Sequence, residues 1–468
     1  MTKQEAAIKY ITENYLDYRR LRHDVVSDKL QVRLLGDEAK GKRQEYWKEL
    51  SKHDINSIVC HAAREYDTNI TSREVMTALQ SDLIPDVHPL REYVNALPRY
   101  TPDQPDWIDL VASQVHVMDT ASATDRPKGL LERTSCCQTT TLLDRPYGAD
   151  RPTNLTSEAG LTVSEANGLA SNSSQRERSK ADRLWRACFK KWFVAMVASW
   201  MNDEVVNHQV LVLIGKQGIF KTTWLEHLIP PHLRAYACKL ANSADLNKDE
   251  RLRIAEFGLI SLDEIDSMNN RELNQLKSVI TATDVNERAA YAYTKERRVR
   301  LASFCASGNR RDFLTDITGN RRWLPFEVES IQNPFFTTLP YERMYAQAWA
   351  LANDPTFCYW FDLDEIEVLE EHNQHFRDES NEEQLLPILF DVPAKGKGEF
   401  MTTAQISERL VSYGNIKKPM ALSRLGMVLG AAGYQSTRPK IGGRLIRGWL
   451  VYQRDTDEIA SLKRLLKE

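Results

Sequence analysis

Apolar residues recur along this chain at two different periods, and the switches between them mark its organisation. Within the first 117 residues, "LRHDVVSDKLQVRLLG" has β-rich runs on both sides of Ser27–Asp28 and predicts a hairpin turning there. "YDTNITSREVMTALQS" sets Thr71 or Ser72 ahead of Glu74, then apolar residues at helical spacing, which predicts a capped helix. "HPLREYVNALPRY" predicts a short helix stopped by Pro98. Together these predict an α+β module over 1–117. Its His53, His61, His88 and Asp106 lack the convergent spacing of metal ligands and read as solvated or structural.

Residues 118–180 are rich in Ser, Thr, Asn, Gly and Pro and predict a flexible insert or linker. Helical periodicity returns over 181–205, where Leu184, Trp185, Cys188, Phe189, Trp192, Phe193, Met196, Val197 and Trp200 form a core stripe. It introduces a domain over 181–360 that holds the chemistry. Residues 361–399 form an acidic linker or helix, with ten Asp/Glu against Arg377 over 362–383. The last segment, 400–468, predicts two helices, one ending at Gly414 and one near Gly433. Two β-rich runs about Gly442–Gly443 then give it a winged-helix look.

The candidate chemistry begins at "NHQVLVLIGKQGIFKTTWLEHLIP". Val210–Ile214 is a continuous apolar run, a buried strand. Gly215 to Thr222 follow, then a helical pattern, which is the strand, glycine loop, Lys-Thr, helix context of a P-loop. Gly215, Gln217, Gly218, Lys221, Thr222 and Thr223 would surround the phosphates of ATP. Lys221 would reach the β- and γ-phosphates, and Thr222 would hold Mg²⁺. Phe220 stands where the general motif has Gly. A side chain there is tolerated if it points away from the nucleotide and its φ is negative. A second apolar strand, Phe257–Leu262, ends in Asp263–Glu264. That is the Walker B arrangement, with Asp263 at the metal and Glu264 on the attacking water. The bland reading is a loop opening or helix cap. A third strand, Val299–Ser303 with Phe304, leads to Asn309, a candidate sensor of the γ-phosphate. Arg321 and Arg322 follow a Gly turn, and one of them suits a neighbouring subunit's nucleotide as an arginine finger.

Composition narrows the class. Lys and Arg number 62 against 65 Asp and Glu, and 42% of residues are hydrophobic, which excludes a wholly disordered chain. Seven scattered cysteines form no C-x-x-C pair, so free thiols in a reducing cytosol are expected and a zinc site is not. The vicinal Cys136–Cys137 read as incidental thiols. The longest apolar run, Trp192 to Met201, is too short to span a bilayer, so a cytoplasmic protein without membrane contact is expected.

The stretches "VLVLIGKQGIFKTTWLEHLIPP", "LISLDEIDSMNNRELNQLKSVIT", "ERAAYAY", "FCASGN" and "LTDITGNRRWLPFEV" together resemble the virulence-associated E family. Those are P-loop proteins akin to poxvirus-type primase-helicases and superfamily 3 helicases, found on phages, plasmids and integrated mobile elements. The resemblance is good over about 181–330 and weaker in the flanks. It implies an α/β fold with an AAA+-like P-loop NTPase core, ATP hydrolysis, assembly of a homo-oligomeric ring, and DNA as partner. It places Lys221 and Thr222 at Walker A, Asp263 and Glu264 at Walker B, Asn309 at motif C and Arg321 or Arg322 at the finger. Some members carry a primase. No primase carboxylate cluster stands out here, so a primase would be a separate chain.

Between the Walker B strand and Asn309, "NERAAYAYTKERRVR" groups Arg288, Tyr291, Tyr293, Lys295, Arg297, Arg298 and Arg300. Superfamily 3 helicases place a pore-facing hairpin in this interval. Cations for backbone and aromatics for bases suit single-stranded or forked DNA; a solvated basic surface is the plainer alternative. Residues 400–454 hold nine Lys/Arg against Glu408, and Lys417, Lys418, Arg424, Arg438, Lys440 and Arg444 could grip duplex phosphates or dock an acidic protein. The expected function is an ATP-dependent DNA motor, a replicative helicase of a mobile element. The alternative is a nucleotide-switched DNA-binding regulator or scaffold without unwinding activity.

Overall fold

A computed structural model of the chain describes residues 1–16, 20–34, 46–119, 179–241, 253–287, 296–315, 320–394 and 398–465. The chain divides into two compact units. The first comprises 1–310 and 322–369, the second 311–321 and 370–468. Among the described residues, no helix is long and apolar enough to cross a membrane.

The first unit opens with a small sheet of β1 (Leu21–Asp24), β2 (Lys29–Leu34), β3 (Tyr46–Glu49) and β4 (Asp86–Val87), in the order β3-β2-β1-β4. The predicted hairpin turn falls between β1 and β2, with Asp28 in the left-handed region. Helices α1 (Lys3–Ile11), α2 (Lys52–Glu65) and α3 (Ser72–Leu79) share a core of Ile11, Ile58, Ala62, Val75 and Leu79 with this sheet. Helix α3 is closed by a Thr71–Glu74 capping box.

Residues 88–117 do not belong to that core. Helices α4 (Pro89–Asn95) and α5 (Trp107–Ala112) and strand β5 (Val115–Val117) bury Leu90, Val94, Trp107, Ile108 and Val115 in the larger core around the main sheet. The described part of the first segment therefore contributes to two cores, with 88–117 in the larger one. The insert expected over 118–180, with Cys136–Cys137, lies almost wholly outside the described residues.

The main sheet has six strands in the order β5-β12-β6-β11-β8-β7, built from β6 (Val210–Ile214), β7 (Ala237–Ala241), β8 (Leu259–Asp263), β11 (Ser303–Gly308) and β12 (Trp323–Ile331). All pairs are parallel except β5 with β12. Strand β6 is buried at every position, as its unbroken apolar run requires of a central parallel strand. Helix α6 (Lys180–Met201) buries Trp185, Phe189, Trp192, Phe193 and Trp200 completely. Each of its buried indoles donates to a main-chain carbonyl: Trp185 to Ala112 at 3.0 Å, Trp192 to Phe304 at 3.1 Å and Trp200 to Gly258 at 3.1 Å. Satisfying the indole N–H removes the cost of burying it, and these bonds also fix the helix to the sheet. Helices α7 (Lys221–His227), α8 (Asn270–Thr281) and α9 (Tyr341–Ala352) complete the unit, with α9 packed on α6.

The third strand starts later than its apolar pattern suggested. Val299 ends β10 (Glu296–Val299), the partner of β9 (Asp284–Glu287) in an antiparallel pair. Arg300, 1% exposed, separates the two strands. Its guanidinium donates to the carbonyls of Ile280, Ala282, Ala302 and Asn207. A charge so deep is tolerated only with its donors satisfied, and these bonds hold the chain in a turn between β10 and β11.

The second unit has its own core, including Leu386, Phe390, Ile406, Leu410, Leu425, Leu429, Trp449 and Val451. Helix α10 (Asn381–Leu389) precedes β13 (Phe390–Asp391) and β14 (Glu399–Met401). Helices α11 (Thr403–Gly414) and α12 (Leu422–Ala431) follow, then β15 (Gln435–Thr437), the hairpin β16 (Lys440–Ile441) and β17 (Arg444–Leu445), and β18 (Gly448–Gln453). Strand β18 pairs antiparallel with both β14 and β15. Gly442 and Gly443, at φ 58° and 84°, make the two-residue hairpin turn that other residues would strain to form.

Candidate functional site

The carboxyl ends of β6, β8 and β11 lie side by side, because Ile214 pairs with Gly308, and Leu262 with Ala306. This register brings Gly215 and Asn309, which follow β6 and β11, and Asp263, the last residue of β8, to one edge of a parallel sheet, where ligands of such sheets bind. Gly215 opens the loop after β6. A Cβ at this position would lie 2.6 Å from the Val328 carbonyl oxygen, so only glycine fits. Lys216, Gln217 and Gly218 are exposed, and Gly218 has φ 83°.

Lys221, the first residue of α7, is 7% exposed. Its Nζ donates to the carbonyls of Gly215 and Lys216, each at 2.7 Å, and to Asn309 Oδ1 at 3.3 Å. Burial lowers its pKa from the ordinary lysine value, while Asp266 and Asp263 oppose the shift. Thr222 Oγ1 is 3.2 Å from Asp263 Oδ1 and 2.9 Å from Ser307 Oγ, and Ser307 Oγ donates to Asp263 Oδ1 at 2.8 Å. On its other oxygen Asp263 pairs with Lys239 Nζ at 2.8 Å. Burial pushes the Asp263 carboxyl upward, but the bonds from Lys239, Ser307 and Thr222 outweigh it and hold the pKa below the usual aspartate value. The site is thus a cluster of oxygens around an ionised carboxylate beside a buried ammonium.

Two non-glycine residues here sit in the left-handed region, Phe220 at φ 68° and Glu264 at φ 53°. Such conformations cost about 1–3 kcal/mol each and persist where the surroundings over-determine them. The condition of a negative φ at Phe220 is therefore not met; the chain takes the backbone that glycine takes and bears the strain. Its ring packs edge-on against Phe335, centroids 6.4 Å apart, and Phe335 also meets His227 at 5.7 Å. His227 is two helical turns beyond Phe220, on the same side of α7. Thr222 Oγ1 instead faces Asp263 and Ser307. Glu264 is exposed, and its carbonyl caps the turn at Ser267.

Ser307, Lys239 and Asp266 belong to this cluster and escaped the motif reading. Asp266 accepts from the backbone N–H of Asn309 at 3.2 Å and of Arg310 at 3.0 Å, so it sets the chain direction at the end of β11. Ser307 could have been found by strand alternation, since it lies two residues before Asn309 on the same face. Lys239 carried no sequence signal at all.

Arg322 immediately precedes β12, where Trp323 pairs with Val210 at the amino end of β6. It therefore lies about 20 Å along the strands from the Gly215 loop of its own chain. Arg321, one residue earlier, falls in the second unit. Arg288, Tyr291, Tyr293 and Lys295 lie outside the described residues, and Arg297 lies on β10 opposite Asn286. The Arg298 guanidinium bonds Asp28 at 2.6 Å and approaches Glu256 at 3.6 Å. In the second unit Lys417, Lys418, Arg438, Lys440 and Arg444 are exposed. Arg424 is half-buried and donates to the Thr315 carbonyl at 3.1 Å.

The fold and site define a mixed α/β protein with its polar cluster at the carboxyl edge of a parallel sheet. Residues 167–379 match the virulence-associated protein E-like domain. Among solved structures it is similar to the apo structure of the NrS-1 C-terminal region (305–718), at 12% identity, covering 96% of this chain and 99% of that one, with a TM-score of 0.40. An A-form apo structure of the same region is similar at 12% identity, covering 95% and 99%, also with a TM-score of 0.40. No curated protein matches.

Proposed function

We propose that the chain is an ATP-dependent DNA motor with an AAA+-like P-loop core, serving replication of a phage, plasmid or integrated mobile element. The observation that carries this reading is the meeting of Lys221, Thr222, Asp263 and Asn309 at one sheet edge. Strand order supports it. Counted by appearance, the parallel strands run 5-1-4-3-2, which sets the strand of Asn309 between the loop strand and the acidic strand.

Lys221 exchanges its loop carbonyls for the β- and γ-phosphate oxygens of ATP. Asp263, Thr222 and Ser307 offer oxygen ligands of the kind Mg²⁺ takes; Thr222 and Asp263 would hold it, with Lys239 paired to the second carboxylate oxygen. When bound, that ion neutralises charge shared by the β- and γ-phosphates. Glu264 orients and deprotonates the attacking water. Asn309, steered by Asp266, contacts the γ-phosphate or that water. Arg321 or Arg322 serves the nucleotide of a neighbouring subunit in a homo-oligomeric ring, which the distance of Arg322 from its own loop favours. The basic interval around β9–β10 follows single-stranded DNA. The second unit, in the order helix, strand, two helices, strand, hairpin, strand, is a winged-helix-like module. Its exposed Lys417, Lys418, Arg438, Lys440 and Arg444 contact duplex phosphates.

The test is ATP turnover with and without single-stranded DNA, with oligomer mass and unwinding of a forked duplex. Lys221→Ala and Glu264→Gln are each expected to abolish unwinding. Full unwinding by either variant overturns the proposal. Turnover indifferent to DNA, with nucleotide retained, selects the nucleotide-switched regulator instead.

A further inference from the structure

We infer that Phe335, braced by Phe220 and His227, is a stacking platform for the base of the bound nucleoside triphosphate. This rests on the nucleotide reading above and adds where the nucleoside lies and how it is recognised.

Asp263, Glu264 and Asn309 mark the γ-phosphate end, on the β8 and β11 side of the lysine loop. Strand β6 has one other neighbour, β12. The nucleoside must leave the loop away from the carboxylates, and so toward β12. Phe335 stands there, just past the end of β12 at Ile331.

Phe335 is 68% exposed, an unusual state for a phenylalanine, yet it does not hang on an unanchored loop. Its backbone N–H donates to Asn333 Oδ1 at 3.0 Å, and the N–H of Phe336 donates to the Asn333 carbonyl at 3.1 Å. Phe220 and His227 meet the ring near perpendicular, at 82° and 85°. His227 is itself fixed, its Nδ1 2.7 Å from the Thr223 carbonyl and its carbonyl accepting from Tyr341 at 2.7 Å. The strained residue Phe220 thus has a consequence: its ring lies against Phe335, while Thr222 faces Asp263 and Ser307. An anchored aromatic held open to solvent is what base stacking needs, and such stacking reads the face of a base and not its edge. The platform therefore takes adenine and guanine alike.

The experiment is calorimetric titration of the full chain with ATP, GTP and inorganic tripolyphosphate, each with Mg²⁺. In Phe335→Ala, affinity for ATP and for GTP should fall about tenfold, with tripolyphosphate unchanged. Phe335→Trp should restore ATP affinity. Phe336→Ala, which removes the more exposed neighbour at 88%, should bind like the parent chain. Unchanged ATP affinity in Phe335→Ala, while Lys221→Ala loses binding, removes the platform and leaves the nucleotide reading standing. Parental ATP binding by Lys221→Ala removes the nucleotide reading itself. An equal loss for ATP and tripolyphosphate in Phe335→Ala also overturns the platform, because the ring would then act on the loop. So would a change in oligomer mass that accounts for the loss.

Discussion

Replacing Phe220 by glycine and, separately, by alanine isolates the strain at the lysine loop. Both variants lose the ring and its contact with Phe335, so that loss cancels between them. What remains is the backbone at φ 68°, ψ 19°. An L-residue in the left-handed region costs about 1–2 kcal/mol, which glycine escapes. Glycine in turn loses about 0.5–1 kcal/mol more chain entropy on folding than alanine. The difference leaves Phe220→Gly more stable than Phe220→Ala by about 0.5–1 kcal/mol. With a negative φ at this position the order would reverse, alanine leading by a similar margin. The sign is therefore the test. Urea unfolding followed by tryptophan fluorescence reads it, and Trp224, fully buried in α7, reports on the element concerned. An alanine variant as stable as the glycine variant, or more so, refutes the left-handed assignment and with it the orientation of the Phe220 ring.

Three further outcomes are expected. Asp266→Ala frees the backbone N–H groups of Asn309 and Arg310. It should lower kcat for ATP about tenfold or more with little change in nucleotide affinity, and a purely affinity-based defect would contradict the positioning role. His23 bonds Asp86 at 2.7 Å and Asp28 at 3.2 Å; burial depresses its pKa, but the two carboxylates prevail and the net value lies above the ordinary 6.5. Its stabilising effect is complete below about pH 6.5 and is lost as pH rises through the elevated folded value. The stability gap between the parent chain and His23→Gln should therefore close on going from pH 6 to pH 9, and a gap that widens would reverse the sign. If the finger acts between subunits, mixing Lys221→Ala with an arginine variant should restore part of the ATPase activity lost by each. Arg321→Ala and Arg322→Ala tested in turn identify which arginine serves, and no rescue with either excludes action between subunits.

The sequence carried those parts of the site that depend on chain order. Val210–Ile214 is apolar without interruption, so it announced a central strand, and Asp263 and Asn309 come at the ends of strands that are largely apolar apart from Ser261 in one and Ser303 and Ser307 in the other. The capping box at Thr71 and the turn at Ser27–Asp28 were legible for the same reason, since each is a local bargain between neighbouring residues. What stayed hidden is non-local. Lys239 reaches Asp263 only because β7 pairs with β8, and nothing near "YACKLA" states that pairing. Trp107 and Val115 gave no sign of which core they enter. Arg298 looked like one more cation in a basic run until β10 was set against the turn at Asp28. Phe220 misled in a more instructive way, because the motif asks for glycine to permit a positive φ, and the fold imposes that φ on phenylalanine.

The β1–β2 turn reaches the main core at two places of unequal strength. Asp24, fully buried, accepts from Tyr236 OH at 2.7 Å, from Gln31 Nε2 at 3.0 Å and from the N–H of Val26 at 3.0 Å. Removing a partner there strands a buried carboxylate, a cost of about 1–3 kcal/mol or more. Four residues on, Asp28 holds Arg298 with half of its own side chain in solvent, and pairs so exposed contribute about 0–1 kcal/mol. Tyr236 adjoins β7 in the sheet, whereas Arg298 belongs to β10, the strand that leads back from the basic interval. The amino-terminal module is thus fastened firmly to the sheet and lightly to the hairpin. A displacement of β10 relative to the sheet would break the Asp28 pair at little cost and leave the Asp24 network intact, so the module neither follows the hairpin nor greatly resists it.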